Sequence, residues 1–531
     1  MTALAELVAS PERHALRWNK LRGTKLRWTK PPFSPAYYPA AVGLAMAIAF
    51  VVVRPQVGDL WAARARQSAA SHGVGLTYWF SWFAGGSTPG GYSVLTPLIS
   101  VLLGSVMLGA IATASIAPLC WWLARGSGHP LAATWIATIT AGASLWSGRI
   151  PFAVGTAVSI LALIAVREDR RWLAALLTAL TVLLSPVSGA FIAIGLTGVA
   201  VYSRPHRTIS LTTIAAAVAS LVVVAVVFGA PGPEGFTASN AALTAGALVL
   251  LLAARPPKYL ASVIVLSILA CPLIVAVPNG MGSNFQRFVW ICLPVAVVAT
   301  ARVRLLAALV AGGLAVISGV TGTVDDLRVA RSPLSSPAYY APLARELDSI
   351  PAMTNYRLEA VPDGAHTASY ALLGHAMLAR GYETQADNAF NAVLMSNADL
   401  NAVTFKIWLD NNAVGYVAIG KTAIHPSPEF NLVSKGNLGY LSSVWSDADW
   451  TLYRVENPTS IVAAPATIID AEQSRLEVSV PDPGPIPIRI RWSHFLAVTP
   501  PKGVLGATLA KDSAGWTILT VPTAGTYILH G

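Results

Sequence analysis

Residues 208–229 read TISLTTIAAAVASLVVVAVVFG, with no charged side chain anywhere in the run. At 1.5 Å of rise per residue such a helix reaches about 30 Å, the hydrocarbon thickness of a bilayer. A helix packed on a soluble core keeps a polar stripe toward water, and this one has no charged face at all. The run therefore reads as a membrane helix. Ten further apolar runs lie near 38–54, 94–122, 130–147, 150–166, 172–186, 187–203, 240–254, 259–278, 287–301 and 304–322, giving eleven. Between the runs near 172–203, Ser185-Pro186 marks either a kink or a loop, because proline cannot donate within a helix.

Composition agrees. Of 531 residues, 54% are hydrophobic and 11% charged, with a mean hydropathy of +0.58. Soluble domains carry about 25% charged residues, so the composition argues against a water-soluble fold. The charge is also unevenly placed. Met1–Gly322 holds 22 Lys+Arg against 6 Asp+Glu, whereas Thr323–Gly531 holds 14 against 19. The basic balance belongs to the apolar half, where Lys and Arg beside membrane helices mark the cytoplasmic side, and nucleic acid is not the partner it implies.

The connecting segments alternate accordingly. Arg125, then Arg167, Arg170 and Arg171, then Arg204 and Arg207, then Arg255 and Lys258, then Arg302 and Arg304 read as cytoplasmic. The opposite segments carry Arg149 in one and Arg287 in another, and only the first, with Arg54, Arg64 and Arg66, departs from the pattern. Residues 1–35 are basic and Trp-bearing, with no cleavage pattern after the first apolar run, so they read as a cytoplasmic N-terminus before a retained anchor. Eleven spans then place everything beyond Gly322 outside the cell. The expected protein is a multi-pass plasma-membrane protein with a transmembrane domain at 36–322 and a first outer loop at 55–93. An extracytoplasmic α/β domain at 323–458 and a β-sandwich-like domain at 459–531 follow. Within the former, Ala402–Asn411 reads as helix and Val414–Ile419 as strand. Within the latter, Leu476–Val480, Ile488–Trp492, Trp516–Val521 and Tyr527–Leu529 read as short strands between Pro and Gly. Cys120, Cys271 and Cys292 lie in apolar runs, which argues for inert buried thiols and against a disulfide framework.

The scarcity of acids narrows where chemistry can sit. The membrane half has only Glu6, Glu12, Asp59, Glu168, Asp169 and Glu234, and of these only Asp59 and Glu234 face outward on this topology. An enzyme that moves a sugar from a lipid-phosphate carrier needs a carboxylate to take the acceptor hydroxyl's proton, and cations to hold the leaving phosphate. Asp59 supplies the first; Arg64, Arg66, Arg149 or Arg287 supplies the second, since guanidinium matches phosphate bidentately. The plainer alternatives are an N-cap for Asp59, opening a surface helix to about Ala70, and lipid head-group contacts for the arginines. Glu234, in a Pro/Gly-rich loop, reads as a solvated charge. Tyr78, Trp79, Trp82 and Tyr92 read as an interfacial aromatic belt or as stacking surfaces for a sugar or polyprenyl chain. His366, His375 and His494 have no metal-ligand spacing. Asp325-Asp326, placed after the last helix, reads as a cap or linker, or as a Mg or Mn site at the membrane surface.

Several motifs together resemble a known family. They are Gly58-Asp59-Leu60, Trp82-Phe83-Ala84-Gly85-Gly86, Pro89-Gly90-Gly91-Tyr92-Ser93 and Gly148-Arg149-Ile150-Pro151-Phe152 with Gly155. The Pro278–Arg287 segment with Gly282-Ser283-Asn284 belongs with them, as do Ala379-Arg380-Gly381-Tyr382-Glu383, Trp408–Val414, and Val444-Trp445 leading to Trp450–Tyr453. The pattern resembles the pyruvoyl-tetrahydropterin-synthase-related membrane proteins of actinobacteria, which look like relatives of the GT-C glycosyltransferases. That resemblance implies a polyprenyl-phosphate sugar donor, a cell-wall glycan or lipid acceptor, and a catalytic acid in the first outer loop, where Asp59 stands. It adds Asn284 to the donor-binding set. GT-C enzymes often carry a pair of acids there, and this loop has one. The other readings are a non-catalytic glycan-binding envelope scaffold and a transporter or flippase; against the latter, no helix interior carries a convincing acid.

Overall fold

The computed structural model describes residues 35–229, 232–301 and 305–531. Nearly all of the basic N-terminus expected at 1–35, with Glu6 and Glu12, lies outside the described residues, as do Arg302 and Arg304. The chain forms two compact units. One comprises residues up to Pro55, Val106–Val227 and Glu234–Asp325; the other comprises Gln56–Ser105, Phe228–Pro233 and Asp326–Gly531.

The first unit is helical. Each apolar run is helical in the structure, but the runs differ in length. Ser105–Ala124, Ile150–Arg167, Arg207–Phe228, Lys258–Ala276 and Leu306–Val329 are, among the described residues, the five helices long and apolar enough to cross a membrane, or six if Tyr37–Val53 and Gly58–Ser71 form one broken span. The protein is a membrane protein on this ground. Arg171–Leu184, Pro186–Tyr202, Ala238–Ala253 and Asn284–Thr300 are shorter apolar helices. At Ser185 the backbone turns fully extended and its hydroxyl accepts from Ser188 N–H, so Ser185-Pro186 separates two helices. The core draws on Phe191, Leu196, Val263, Ile264, Phe288 and Val297. Gly198 allows close approach: a Cβ there would collide with the Tyr259 carbonyl oxygen on the Lys258–Ala276 helix. The run expected at 94–122 is two helices, Thr96–Leu103 and Ser105–Ala124, parted at Gly104 with φ of 78°. Asp325-Asp326 do not follow the last helix but lie inside it, because Leu305–Val329 continues past Gly322.

The second unit is α/β plus all-β. A five-stranded sheet has the order β2-β1-β3-β5-β4, from β1 (Arg357–Ala360), β2 (Met377–Leu378), β3 (Val414–Gly420), β4 (Leu441–Ser446) and β5 (Trp450–Val455). β1 pairs in parallel with β2 and β3, and β5 runs antiparallel to β3 and β4. Buried on both faces, β3 is apolar along its whole length, as a central strand must be. The last segment forms two small antiparallel sheets. One has the order β6-β7-β12-β9, from β6 (Thr467–Ala471), β7 (Arg475–Val480), β9 (Ala497–Thr499) and β12 (Gly525–His530). The other is β10-β11-β8, from β8 (Gly484–Arg491), β10 (Thr508–Lys511) and β11 (Trp516–Val521). Val478, Ile488, Leu519 and Leu529 from both sheets share one core, which makes a sandwich.

Of residues 55–93, expected as an outer loop, all from Gln56 onward are part of this second unit. Phe80 N–H donates to the Gln473 carbonyl at 3.0 Å, Leu378 N–H to the Ser81 carbonyl at 2.9 Å, and the Tyr78 hydroxyl to the Arg491 carbonyl at 2.8 Å. Tyr78, Trp79 and Trp82 are accordingly buried, Trp79 and Trp82 completely. They form neither an interfacial belt nor a sugar-stacking surface, because their ring faces are consumed in packing.

Candidate functional site

Asp59 lies in the first turn of the Gly58–Ser71 helix, whose N-cap is Val57 and whose cap makes no side-chain hydrogen bond. Asp59 is therefore not the cap. It carries charge where the helix N-terminus favours an anion. Seven residues on, Arg66 shares its face, two turns or about 10 Å along the axis. Arg66 meets the Arg380–Glu383 segment through Glu383, and so does the start of the helix at Gly58. A Cβ on Gly58 would lie 3.3 Å from the Tyr382 ring and 3.4 Å from His366, which puts the start of the helix directly on those two side chains. His366 and Tyr382 stack with centroids 3.9 Å apart. Burial holds the His366 imidazole down to about 4, although the Asp59 and Asp387 carboxylates pull the other way. At neutral pH the ring beside Asp59 is uncharged.

Arg66 does not present a free guanidinium. It is 4% exposed, pairs with Glu383 at 2.5 Å, and lies 3.9 Å from the Tyr92 ring centroid and 5.1 Å from that of Trp82. This pairing engages the guanidinium expected to hold donor phosphate. Tyr92, 38% exposed, is the aromatic of the predicted set that still shows surface. Arg64 is half-buried over the stacked rings of Trp61 and Tyr370, at 5.1 and 5.9 Å.

The Arg380–Glu383 segment is pinned from behind. Arg380 Nε donates to Asp387 at 2.8 Å and Nη1 to Glu429 at 2.8 Å, with Glu359 at 3.5 Å. Gly381 is packed beneath Trp82: a Cβ would lie 2.5 Å from the indole. Three buried carboxylates around one guanidinium cannot all ionise. Burial raises Glu359 well above the ordinary carboxylate range and Glu429 to about 7, with Glu429 and Asp387 pushing Glu359 further. Sequence reasoning missed this cluster. The one signal is Arg380-Gly381-Tyr382-Glu383 itself, because an arginine hemmed in by glycine and tyrosine needs anions if it is buried.

The remaining predicted residues belong to the helical unit. Arg149 is the N-cap of the Ile150–Arg167 helix, and Arg287 stands over the Phe152 ring in that helix's first turn, 5.8 Å from its centroid. Asn284 opens the short helical turn that carries Arg287, ahead of a π-helical turn at Phe288–Cys292 before Pro294. Glu234 is not merely solvated: the Ser283 hydroxyl donates to it at 2.7 Å, and Glu234 N–H donates to the Asn279 carbonyl at 2.8 Å. Arg287, Arg149, Asn284 and Glu234 thus stand on neighbouring segments of one unit, and Asp59, Arg64, His366 and Tyr382 on neighbouring segments of the other.

His375 pairs with Asp348 at 2.9 Å and His494 stacks on Phe495. Among the described residues, no group of three His, Cys, Asp or Glu side chains converges as a metal site, and this includes Asp325-Asp326. No protein-family model matches the chain, and no curated protein or solved structure matches it.

Proposed function

We propose that this chain is an extracytoplasmic glycosyltransferase of GT-C type, acting on a polyprenyl-phosphate-linked sugar in cell-envelope glycan assembly, with eleven spans and the second unit outside the cell. The observation that carries this reading is Asp59: a partly exposed carboxylate at a helix N-terminus, beside a neutral imidazole and a tyrosine ring. The acceptor oxygen attacks the sugar's anomeric carbon, the bond to phosphate oxygen breaks, and Asp59 takes the acceptor's proton. Arg64, on the same helix as Asp59, is the group suited to the departing phosphate, and the β-rich unit is suited to the acceptor glycan. A divalent ion, Mg or Mn, belongs to the assay and not to an assigned site.

A second reading, a non-catalytic envelope scaffold that binds glycan, is favoured by one observation. Arg66, Tyr78, Trp79 and Trp82 are spent on internal packing, which leaves a smaller polar set than a donor site usually uses. The resemblance to the pyruvoyl-tetrahydropterin-synthase-related membrane proteins supports either reading. Purified wild type and Asp59→Asn are assayed for transfer from a panel of polyprenyl-phosphate sugars, with and without Mg²⁺ or Mn²⁺. A loss of about a hundredfold or more with the fold intact is expected of a general base. Equal rates for the two proteins remove Asp59 from the mechanism.

A further inference from the structure

The helical unit holds a partly open cavity of about 280 Å³ that the proposed sugar chemistry does not use. Its walls come from Ser105–Ala124, Pro130–Trp146, Ile150–Arg167, Pro186–Tyr202, Lys258–Ala276 and Asn284–Thr300. On the Ile150–Arg167 helix the lining runs from Phe152 to Arg167, about 22 Å along the axis. The cavity is long, and aliphatic over most of its length.

Its ends differ in chemistry. At one end Arg167 borders the cavity. Its Nη1 donates to the Trp122 and Leu123 carbonyls at 2.7 and 2.8 Å, while the adjacent Glu168 pairs with Arg125 at 3.0 Å. That mouth carries two guanidiniums and one carboxylate. Toward the other end lie Ser144 and Thr113, whose buried hydroxyl oxygens have no hydrogen-bond partner. Midway, Gly195 lines the wall, and a Cβ built there meets nothing within 4 Å.

Native interiors hold few voids larger than a water molecule, and apolar cavities of about 150 Å³ stay dry and take apolar guests. In a membrane unit the apolar guest at hand is the hydrocarbon chain of a lipid. One leaflet's chains span about half of the roughly 30 Å core, so a single chain fits within the length of this cavity. A cation at this end favours a lipid of net negative charge, because the choline of a zwitterionic headgroup sets its own positive charge beside the phosphate.

We propose that the cavity is a binding site for one acyl chain of an anionic glycerophospholipid whose phosphate sits at Arg167. The far end of the cavity reaches Phe152, under Arg287, but the headgroup sits at the Arg167 end, and the occupant is a resident lipid of the bilayer and not the sugar donor.

The test uses the full chain, delipidated in detergent and titrated with dioleoyl-phosphatidylglycerol under native mass spectrometry. Dioleoyl-phosphatidylcholine and a polyprenyl phosphate are run in parallel. One tightly held phosphatidylglycerol per chain is expected. Gly195→Phe, which fills the cavity, is expected to weaken it at least about tenfold, since its ring replaces the chain. Arg167→Gln leaves the cavity open and is expected to abolish the preference for phosphatidylglycerol over phosphatidylcholine. Ser144→Ala is expected to change neither. A photoactivatable acyl chain on phosphatidylglycerol reports independently of Gly195→Phe folding, and is expected to label the Ile150–Arg167 and Pro186–Tyr202 helices. Equal binding by wild type and a folded Gly195→Phe, labelling elsewhere, or loss in Ser144→Ala with Arg167→Gln unaffected overturns the proposal. So does displacement of phosphatidylglycerol by polyprenyl phosphate at lower concentration, which assigns the cavity to the donor.

Discussion

His366 and Glu429 give the second unit two pH dependences of opposite sign. An unfolded histidine protonates near 6.5, whereas burial keeps His366 neutral down to about 4. The folded form therefore refuses a proton that the unfolded form takes, and this contribution is lost as pH falls from 6.5 toward 4. Glu429 is the reverse. Raised by burial to about 7 from an ordinary 4.5, it keeps a proton that the unfolded chain surrenders. Its contribution is full below 4.5 and is lost as pH rises toward 7. A tenfold change in proton affinity between folded and unfolded chain is worth about 1.4 kcal/mol, so shifts in these directions are large enough to move the melting temperature. The two slopes oppose each other between pH 4.5 and 6.5, and above that only the descent from the carboxyl cluster remains. Glu429→Gln is expected to shrink that descent to the part that belongs to Glu359, and so to steepen the climb from pH 4 to 6.5. Melting temperatures from tryptophan fluorescence between pH 4 and 8 check this, and a Glu429→Gln profile parallel to wild type would sink it. None of this was legible in the sequence. A glutamate in a strand and another in a short helix do not announce that they will share one arginine until the sheet brings them together.

Among elements, the segment 55–93 departs furthest from what its sequence suggests, and the reason is physical. Its aromatic residues look the same whether they face lipid head groups, a sugar or a protein core. The decision rests on partners such as Arg491, which lies 413 residues from Tyr78. Local signals are more faithful. The helix Ala402–Asn411 falls where the sequence puts it, opened by the reciprocal Asn401–Thr404 capping box. The strand Trp516–Val521 also coincides, because alternation on a half-buried sheet is written into adjacent residues. The weaker strands β6, β9 and β10 bury no residue fully and carry little apolar alternation to find. If residues 55–93 belong to the fold of the second unit, Trp82→Ala is expected to cost about 3–5 kcal/mol, as for a fully buried aromatic. Gly381→Ala, which drives a Cβ against that indole, is expected to cost about 1–3 kcal/mol. Tyr92→Ala, removing a partly exposed ring, should cost less than either. Urea unfolding of the full chain in detergent orders the three. A near-neutral Trp82→Ala contradicts the burial that ties this segment to the second unit.

At the scale of the whole molecule, the unequal charge of the two halves is the argument for sidedness. An excess of Lys and Arg concentrated beside apolar helices, in a chain whose residues from Thr323 onward are net acidic, is what the proposed orientation with basic segments inside rests on. The native thiols make this testable. Cys120 and Cys271 are buried in the helical unit and Cys292 is partly buried in it. An impermeant maleimide is therefore expected to leave wild type on intact cells unlabelled. Single cysteines are then placed at two exposed positions. Leu505, 89% exposed in the loop between β9 and β10, reports on the β-rich unit. Arg170, exposed between Ile150–Arg167 and Arg171–Leu184, reports on a segment read as cytoplasmic. With the second unit outside, Leu505→Cys labels on intact cells, whereas Arg170→Cys labels only after permeabilisation. The reversed pattern would put the unit that carries Asp59 in the cytoplasm. A sugar donor displayed on the outer leaflet could not reach it there, and the extracytoplasmic transferase would fall with the topology. Labelling of both positions on intact cells would instead mean that the short apolar helices do not all cross, and that Arg167 shares a side with the β-rich unit. The phospholipid proposed at Arg167 would then be drawn from the outer leaflet, because the guanidinium that selects its headgroup stands three residues from the reporter.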